Sequence, residues 1–192
     1  MGRIVVTEFV SLDGVMEDPG GAEDFAHGGW TFRFDRAPEG DQFKLGELER
    51  AEAQLLGRVT YEAFAAAWPD RDDDVGFARR MNAMPKYVVS GTLRDEDASW
   101  HNSTVLRGDA VSEVTALKGG VQGDILVAGS TRLVQTLLEH RLVDELRLMV
   151  FPIVLGTGRR LFGELSEPFT MVLDSAETMG EGIVTLVYRP NP

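Results

Sequence analysis

The most regular hydrophobic pattern in the chain lies in residues 123–142. Four consecutive apolar residues at positions 125–128 are typical of a strand buried on both faces. Gly129 follows, and Ser130 or Thr131 is suited to cap a helix. Apolar residues then recur at helical spacing: Leu133, Val134, Leu137, Leu138 and Leu142. The pattern predicts a strand, a glycine turn and a helix start that can bind phosphate, with an ordinary strand–helix unit as the alternative.

Apolar strands and amphipathic helices alternate over most of the chain and give way to strands alone after about residue 150. The predicted strands are residues 4–10, 54–56, 86–90, 103–106, 125–128, 144–154, 169–175 and 182–189. Such alternation is typical of an α/β fold with a doubly wound, mostly parallel central sheet, and the last two strands form an antiparallel hairpin. The length of the chain, 192 residues, fits a single domain over residues 1–192.

Capping residues set the predicted helix starts. Residues 17–40 are rich in glycine and predict a long loop. Asp41 then begins a helix whose apolar spacing continues through Ala51 and Leu55. The N-caps predicted for the next three helices are Thr60, Asp74 and Asp109.

Charge and composition narrow the possible partners. The chain has 31 acidic and 19 basic residues and a formal net charge of −12, which disfavours nucleic acid and anionic membranes. The absence of cysteine excludes disulfides, thiol catalysis and thiolate metal sites. No apolar run approaches the roughly 20 residues of a membrane span, and the N-terminus lacks the features of a signal peptide. We therefore expect a soluble cytoplasmic protein.

Familiar catalytic motifs are missing from the chain. It has no G-x-G-x-x-G after a strand, no P-loop, no H-E-x-x-H and no G-x-S-x-G, and its histidines at 27, 101 and 140 are scattered. We therefore expect no metal site, and we expect the chemistry to come from a bound cofactor.

Small and basic residues follow three of the predicted strands, at positions 57–60, 90–92 and 129–131. Carboxyl ends of parallel strands face one crevice, where ligands bind. Together these ends offer the guanidinium of Arg58, several hydroxyl groups and two helix N-termini, which suit a phosphorylated dinucleotide. Turn and capping chemistry is the alternative for each of them alone.

Several short motifs in order resemble a known family. They are residues 11–14 (SLDG), 56–62 (LGRVTYE), 87–90 (YVVS), 127–130 (VAGS), 142–146 (LVDEL), 151–158 (FPIVLGTG) and 161–162 (LF). The set, which extends over nearly the whole chain, resembles the dihydrofolate-reductase-like family. Within that family it is similar to the C-terminal reductase domain of bacterial riboflavin-biosynthesis deaminase–reductases.

This resemblance implies a reductase that binds NADPH across the sheet edge. Three groups of residues would bind the cofactor. Gly57, Arg58 and Thr60 would hold its phosphates, with Ser90 near the adenosine 2′-phosphate; Gly129, Ser130 and Thr131 would receive the pyrophosphate; Ser11, Leu12, Asp13 and Gly14 would lie beside the nicotinamide. The resemblance also implies a homodimer that pairs through the long strand and the final hairpin, partly through Leu146, Leu148, Val150 and Val187.

The substrate side is less defined. Asp41 is a candidate for the carboxylate that binds the pterin in dihydrofolate reductases, with a helix N-cap as its alternative role, and Asp13 is a second catalytic candidate, with turn formation as its alternative. Trp30 and Phe32 are candidates for a substrate pocket, or for loop aromatics packed on the surface. The chain lacks a deaminase domain, a matching set of basic residues for a ribose 5-phosphate, and the tryptophan-containing pattern of a true dihydrofolate reductase.

The sequence thus predicts an NADPH-dependent reductase of a small heterocyclic or imine/carbonyl compound. The nearest named activity is 5-amino-6-(5-phosphoribosylamino)uracil reductase. A dihydrofolate or pterin reductase is one alternative, and a non-catalytic nucleotide-binding protein is an alternative of another class.

Overall fold

The computed structural model describes residues 1–73 and 75–191. Over these residues the chain forms eight strands and five α-helices. In chain order they are β1 (Arg3–Ser11), α1 (Ala37–Arg50), β2 (Ala51–Gly57), α2 (Arg58–Ala67), α3 (Phe77–Ala83), β3 (Lys86–Val89), β4 (Ser103–Leu106), α4 (Ala110–Gly120), β5 (Asp124–Val127), α5 (Thr131–Glu139), β6 (Glu145–Phe151), β7 (Met171–Met179) and β8 (Ile183–Pro190). Two short 3₁₀ helices cover Trp30–Arg33 and Asp95–Asp97.

All eight strands belong to one sheet in the order β4-β3-β2-β5-β1-β6-β8-β7. The strands from β4 to β6 are parallel, and β8 and β7 form an antiparallel hairpin on β6. This arrangement confirms the predicted fold class. Since β1 lies between β5 and β6, the chain reverses its winding near the middle of the sheet, where ligands bind in doubly wound folds.

Apolar residues cover both faces of the sheet because successive side chains of β1 and β2 point to opposite sides. On one face, Val6 and Val10 pack with Val134 and Leu137 of α5. On the other face, Val5 and Leu56 pack with the aromatic side chains of Tyr61 and Trp100. A third cluster lies at the end of β6, where Phe151 contacts Trp30 and Phe34.

Two of the predicted helix starts were wrong. Helix α1 begins at Ala37, with Pro38 in its first turn, so Asp41 lies within the helix and does not cap it. Proline fixes the backbone dihedral that a helix start needs, and this effect outweighs the capping preference of an aspartate further along. Thr60 lies inside the first turn of α2, whose N-cap position is Gly57.

The predicted end of the first helix was also wrong, since Ala51 begins β2 and is buried there; the strand predicted at residues 54–56 lies within β2. Alternate positions of a strand can coincide with helical spacing over a short stretch, which explains the error. Asp109 caps α4 as predicted, with its carboxylate accepting a hydrogen bond from the Ser112 N–H. The capping predicted for Asp74 lies outside the described residues; the neighbouring Asp73 accepts from the N–H groups at the start of α3.

The apolar residues that the resemblance places partly at a dimer interface belong to the core of the single chain. Leu146 and Leu148 are 1% and 6% exposed and pack in the cluster that contains α5. Val187 is also buried, and Val150 packs against the same cluster. The interior of one chain therefore accounts for their apolar character, and a dimer has to be argued from other surfaces.

Candidate active site

The carboxyl ends of β2 and β5 meet as the sequence predicts. The Gly57 N–H donates a hydrogen bond to the Gly129 carbonyl over 3.2 Å. A Cβ atom on Gly57 would overlap the Ser130 hydroxyl, and one on Gly129 would lie 2.7 Å from Thr60 Oγ1. Gly129 also has a φ of +88°, and its peptide bond to Ser130 is cis. Only glycines fit at these two positions, because the side chains of Ser130 and Thr60 occupy the space that a Cβ atom would need, and the two turns therefore pack closely together.

Two helices begin at this junction, and neither has a side-chain cap. Gly57 occupies the N-cap position of α2, and Ser130 that of α5 without forming a capping hydrogen bond. Their first N–H groups carry the positive ends of the helix dipoles. An anion that binds over the starts of α2 and α5 would therefore meet two helix N-termini at once.

Arg58 and Ser90 contact different partners and do not contact each other. The Arg58 guanidinium donates to both carboxylate oxygens of Glu62 at 3.0 Å and is half exposed. Ser90 is buried, and its hydroxyl accepts hydrogen bonds from the N–H groups of Thr92 and Leu93. Ser90 therefore caps a turn, which is the alternative to its predicted role in phosphate binding. Arg58 is placed beside the junction of β2 and β5 and has to release Glu62 to hold a phosphate.

The turn after β1 is fastened to the segment after β6 by Asp13. Its carboxylate accepts hydrogen bonds from the Ser11 hydroxyl at 2.7 Å and from the N–H groups of Leu155 and Gly156 at 3.1 and 2.8 Å. The Ser11 hydrogen bond, with these backbone donors, lowers the pKa of Asp13 to about 2. Asp13 is therefore ionised at neutral pH and cannot donate a proton, and its contacts are those of the turn that was its alternative role.

The other two residues of this turn are open to solvent. Leu12 is 62% exposed, and Gly14 adopts a φ of +81° with no atom near its Cβ position. Their places are compatible with the predicted contact to a nicotinamide, which stays a prediction.

Three side chains predicted for the substrate side do not line a common pocket. Asp41 is largely exposed, and its carboxylate accepts from Arg36 at 2.6 Å. Trp30 is fully buried: it donates to the Glu17 carbonyl and packs edge-on against Phe151. Phe32 is 79% exposed, which agrees with its alternative role as a surface aromatic. The pocket prediction was wrong for Trp30 because the 3₁₀ turn that carries it folds inward over the end of β6.

Sequence reasoning missed Glu8, a buried carboxyl in the centre of the sheet. Glu8 lies on β1, is 7% exposed, and its Oε1 atom has no hydrogen-bond partner. Burial raises the pKa of Glu8 to about 8, although Lys44 and a backbone hydrogen bond from Gly129 act in the opposite direction. One signal was present in the sequence: an acidic residue interrupts a strand that is otherwise apolar or β-branched.

A second missed group lies on the face of the sheet that α1 covers. The Lys44 ammonium donates to the Thr7 hydroxyl at 2.6 Å and pairs with Glu47 at 2.7 Å. The Thr7 hydroxyl in turn lies 2.9 Å from both Glu47 carboxylate oxygens. Lys44 also lies over the ring of Phe9, 4.9 Å from its centroid. This group ties α1 to β1 and fixes a positive charge close to Glu8.

None of the helices in residues 1–73 and 75–191 is both long and apolar enough to cross a membrane. The site consists of strand ends, two open helix starts and a buried carboxyl at the edge of a parallel sheet where ligands bind in doubly wound folds.

The chain belongs to the RibD C-terminal domain family, whose model matches residues 3–185. It is 27% identical over 192 residues to the uncharacterized protein YyaP of Bacillus subtilis. The match covers 98% of this chain and 95% of that protein. The family confirms the resemblance found in the sequence.

Solved structures share the fold over the full length of the chain. A putative riboflavin biosynthesis protein from Shewanella sp. PV-4 is similar with a TM-score of 0.79 and 22% identity, covering 99% of both chains. A Thermotoga maritima deaminase and 5-amino-6-(5-phosphoribosylamino)uracil reductase gives a TM-score of 0.67 and 16% identity, covering 99% of this chain and 57% of that one. Dihydrofolate reductase from Enterococcus faecalis, complexed with NADP(H), gives a TM-score of 0.59 and 15% identity. The match covers 100% of this chain and 98% of that one. The protein therefore has the dihydrofolate-reductase-like fold.

Proposed function

We propose that the protein is an NADPH-dependent reductase of a small heterocyclic or imine/carbonyl compound. The observation that carries the proposal is the junction of Gly57 and Gly129, where close packing at two glycines brings two uncapped helix starts together, an arrangement that suits a phosphorylated ligand. The Enterococcus dihydrofolate reductase, which has the same fold, was solved with NADP(H). The Arg58 guanidinium beside this junction supplies a positive charge for a phosphate in a chain whose net charge is −12.

The residues present fit this cofactor at its phosphates. Backbone N–H groups at the starts of α2 and α5 bind the pyrophosphate, and the hydroxyl groups of Thr60 and Ser130 lie at the same junction. Arg58 exchanges Glu62 for a phosphate oxygen, a charge-assisted contact of higher strength. A bound nicotinamide supplies a hydride, and the turn of residues 11–14, held by Asp13, bounds its position.

For the substrate we propose the ribosylamino-pyrimidine of riboflavin biosynthesis as the first candidate. The Thermotoga reductase, of which this chain covers 57%, is named for that activity, and the family is that of its reductase domain. A pterin or folate is the second candidate on grounds of fold. The exposed position of Asp41 and its pairing with Arg36 favour the first candidate, because the carboxylate expected to hold a pterin is not in the crevice.

We also propose that the protein acts as a cytoplasmic homodimer, with a small molecule and not nucleic acid or a membrane as its partner. The net charge of −12 supports the choice of partner. The outer strand β7 supports pairing, since Val172 and Leu173 are 50% and 49% exposed on an unpaired sheet edge.

The first test is a calorimetric titration with NADPH and, separately, with NADH. We expect saturable NADPH binding that weakens about tenfold or more in Arg58→Ala, since a hydrogen bond to a charged group contributes about 1.5–3 kcal/mol. Arg50→Ala, at the exposed end of α1, is the matched control and keeps wild-type affinity. Absence of binding to both nucleotides would refute the cofactor assignment.

Turnover separates the reductase from a protein that only binds nucleotide. The bound NADPH is offered a panel of pyrimidine and pterin acceptors, and its absorbance is followed. Oxidation that requires one of these acceptors supports the reductase. Tight binding with no oxidation by any of them would favour the non-catalytic alternative.

A further inference from the structure

Glu8 lies directly under the helix start that is expected to receive the pyrophosphate. In the parallel pairing of β1 with β5, Val6 is opposite Val127. Continuing that register by two residues brings Glu8 level with Gly129, just past the end of β5. Alternation along the strand gives Glu8 the same face as Val6 and Val10, which pack with the first turns of α5.

One oxygen of the Glu8 carboxyl group has no hydrogen-bond partner inside the protein, although the group accepts a backbone hydrogen bond from Gly129. Its Oε1 atom is buried and has no hydrogen-bond partner, an unusual state for a polar atom in a folded chain. Such an atom destabilises the folded chain unless a ligand or a proton compensates for it. Together with the open start of α5, this unpartnered carboxyl points to a ligand that contacts it.

The charges around Glu8 come from two elements. On α1, Lys44 favours its ionised form and Glu47 opposes it. In the loop after β1, Glu23 also opposes ionisation. Lys44 also pairs with Glu47 and donates to Thr7, and these contacts hold its ammonium group in place. Burial outweighs these charges and raises the pKa of Glu8 to about 8.

We propose that the Glu8 carboxyl carries a proton when the dinucleotide is bound, so that binding takes up a proton and weakens at alkaline pH. This inference rests on the proposed function, because the anion that faces Glu8 is the dinucleotide pyrophosphate. An ionised Glu8 beside the pyrophosphate repels it, whereas a protonated Glu8 donates the hydrogen bond that Oε1 now lacks.

The size of the effect follows from the fraction of protein that is competent to bind. At pH 7 most Glu8 side chains are protonated, and at pH 9 only about one in eleven is, given a pKa of about 8. The dissociation constant for NADPH should therefore rise about tenfold between pH 7 and pH 9. NADPH itself contributes little in this range, since its phosphate is already ionised above a pKa of about 6.

The experiment measures NADPH affinity by calorimetry from pH 6 to pH 9.5 in the wild-type chain and in two variants. Glu8→Gln keeps the shape and removes the proton exchange, so its affinity should not change between pH 7 and pH 9. Glu49→Gln removes the same charge from an exposed position of α1 and should keep the wild-type pH dependence. A wild-type affinity that is constant from pH 7 to pH 9, or an equal loss in Glu8→Gln, would overturn the inference and leave the cofactor assignment standing.

A second measurement on the unaltered protein covers the case in which Glu8→Gln does not fold. At pH 8.5, the heat of NADPH binding is measured in two buffers of different ionisation enthalpy, which gives the number of protons taken up. Uptake of more than about half a proton supports the inference, and uptake near zero overturns it. Absence of NADPH binding at every pH overturns the inference and the proposed function together.

Discussion

Replacing Glu8 by glutamine should change how the stability of the unliganded protein depends on pH. In the wild-type chain the pKa of Glu8 rises from 4.5 to about 8 on folding. Between these pH values the folded chain therefore holds a proton that the unfolded chain has released. The contribution of Glu8 to the free energy of unfolding is therefore fully present below pH 4.5, and it is lost as the pH rises through 8.

The magnitude has a ceiling set by the shift in pKa. Each pH unit between 4.5 and about 8 costs at most about 1.4 kcal/mol, or about 5 kcal/mol over the whole interval. Water entry and relaxation around the ionised carboxyl reduce this figure, so we expect a loss of about 2–3 kcal/mol between pH 5 and pH 8. Glutamine cannot ionise, and the Glu8→Gln variant should not show this component.

Urea unfolding of both chains at pH 5, 6, 7 and 8 measures the effect. The quantity of interest is the free energy of unfolding of the wild type minus that of Glu8→Gln, because contributions from all other titrating groups cancel in this difference. It should fall steadily as pH rises, with unchanged urea dependence. The difference between the wild type and Glu49→Gln should stay flat, since Glu49 is exposed. A difference that is constant over this range would show that Glu8 titrates as a solvated carboxyl, and the reasoning from its burial would be refuted.

Three further changes test other parts of the structure. Gly57→Ala places a methyl group on the Ser130 hydroxyl, so NADPH affinity by calorimetry should fall at least tenfold, whereas Gly119→Ala, at an open position, should keep it. Asp13→Asn should cost about 1–2 kcal/mol in urea unfolding at pH 7, and this cost should shrink as pH falls from about 4 towards 2, where the wild-type carboxylate gains its proton. Lys86→Met leaves three backbone carbonyls without their ammonium donor and should lower the free energy of unfolding by about 1–3 kcal/mol. An unchanged free energy of unfolding would mean that water molecules replace the ammonium group as donors.

The strands and most helices could be predicted because they depend on local patterns. Three of the four apolar residues before Gly129 lie in β5, and the helical spacing after Ser130 forms the buried face of α5. The start of α1 could not be located in the same way, since a proline at position 38 and an aspartate at position 41 are both acceptable helix starters and the fold decides between them.

The candidate site could be predicted only where backbone geometry determines it. Gly57 and Gly129 follow buried strands, and any parallel sheet that pairs β2 with β5 brings them together. Side-chain roles depend on packing between distant segments, which local patterns do not record. Trp30 could have lined a crevice or filled the core, and its contact with Phe151, far along the chain, decides the matter.

Glu8 and Asp13 show how one segment of chain can produce two carboxyl groups with opposite properties. Asp13, with hydrogen-bond donors from the hydroxyl of Ser11 and from two backbone N–H groups, has a pKa of about 2. Glu8, which is buried with an unpartnered oxygen, has a pKa of about 8. A pair of carboxyl groups whose environments separate their pKa values in this way divides its tasks: one keeps a fixed charge and holds structure, and the other can gain or lose a proton near neutral pH. Because the turn of residues 11–14 needs the permanent charge of Asp13 to stay attached to the segment after β6, a proton exchanged at this site has to involve Glu8 and not Asp13.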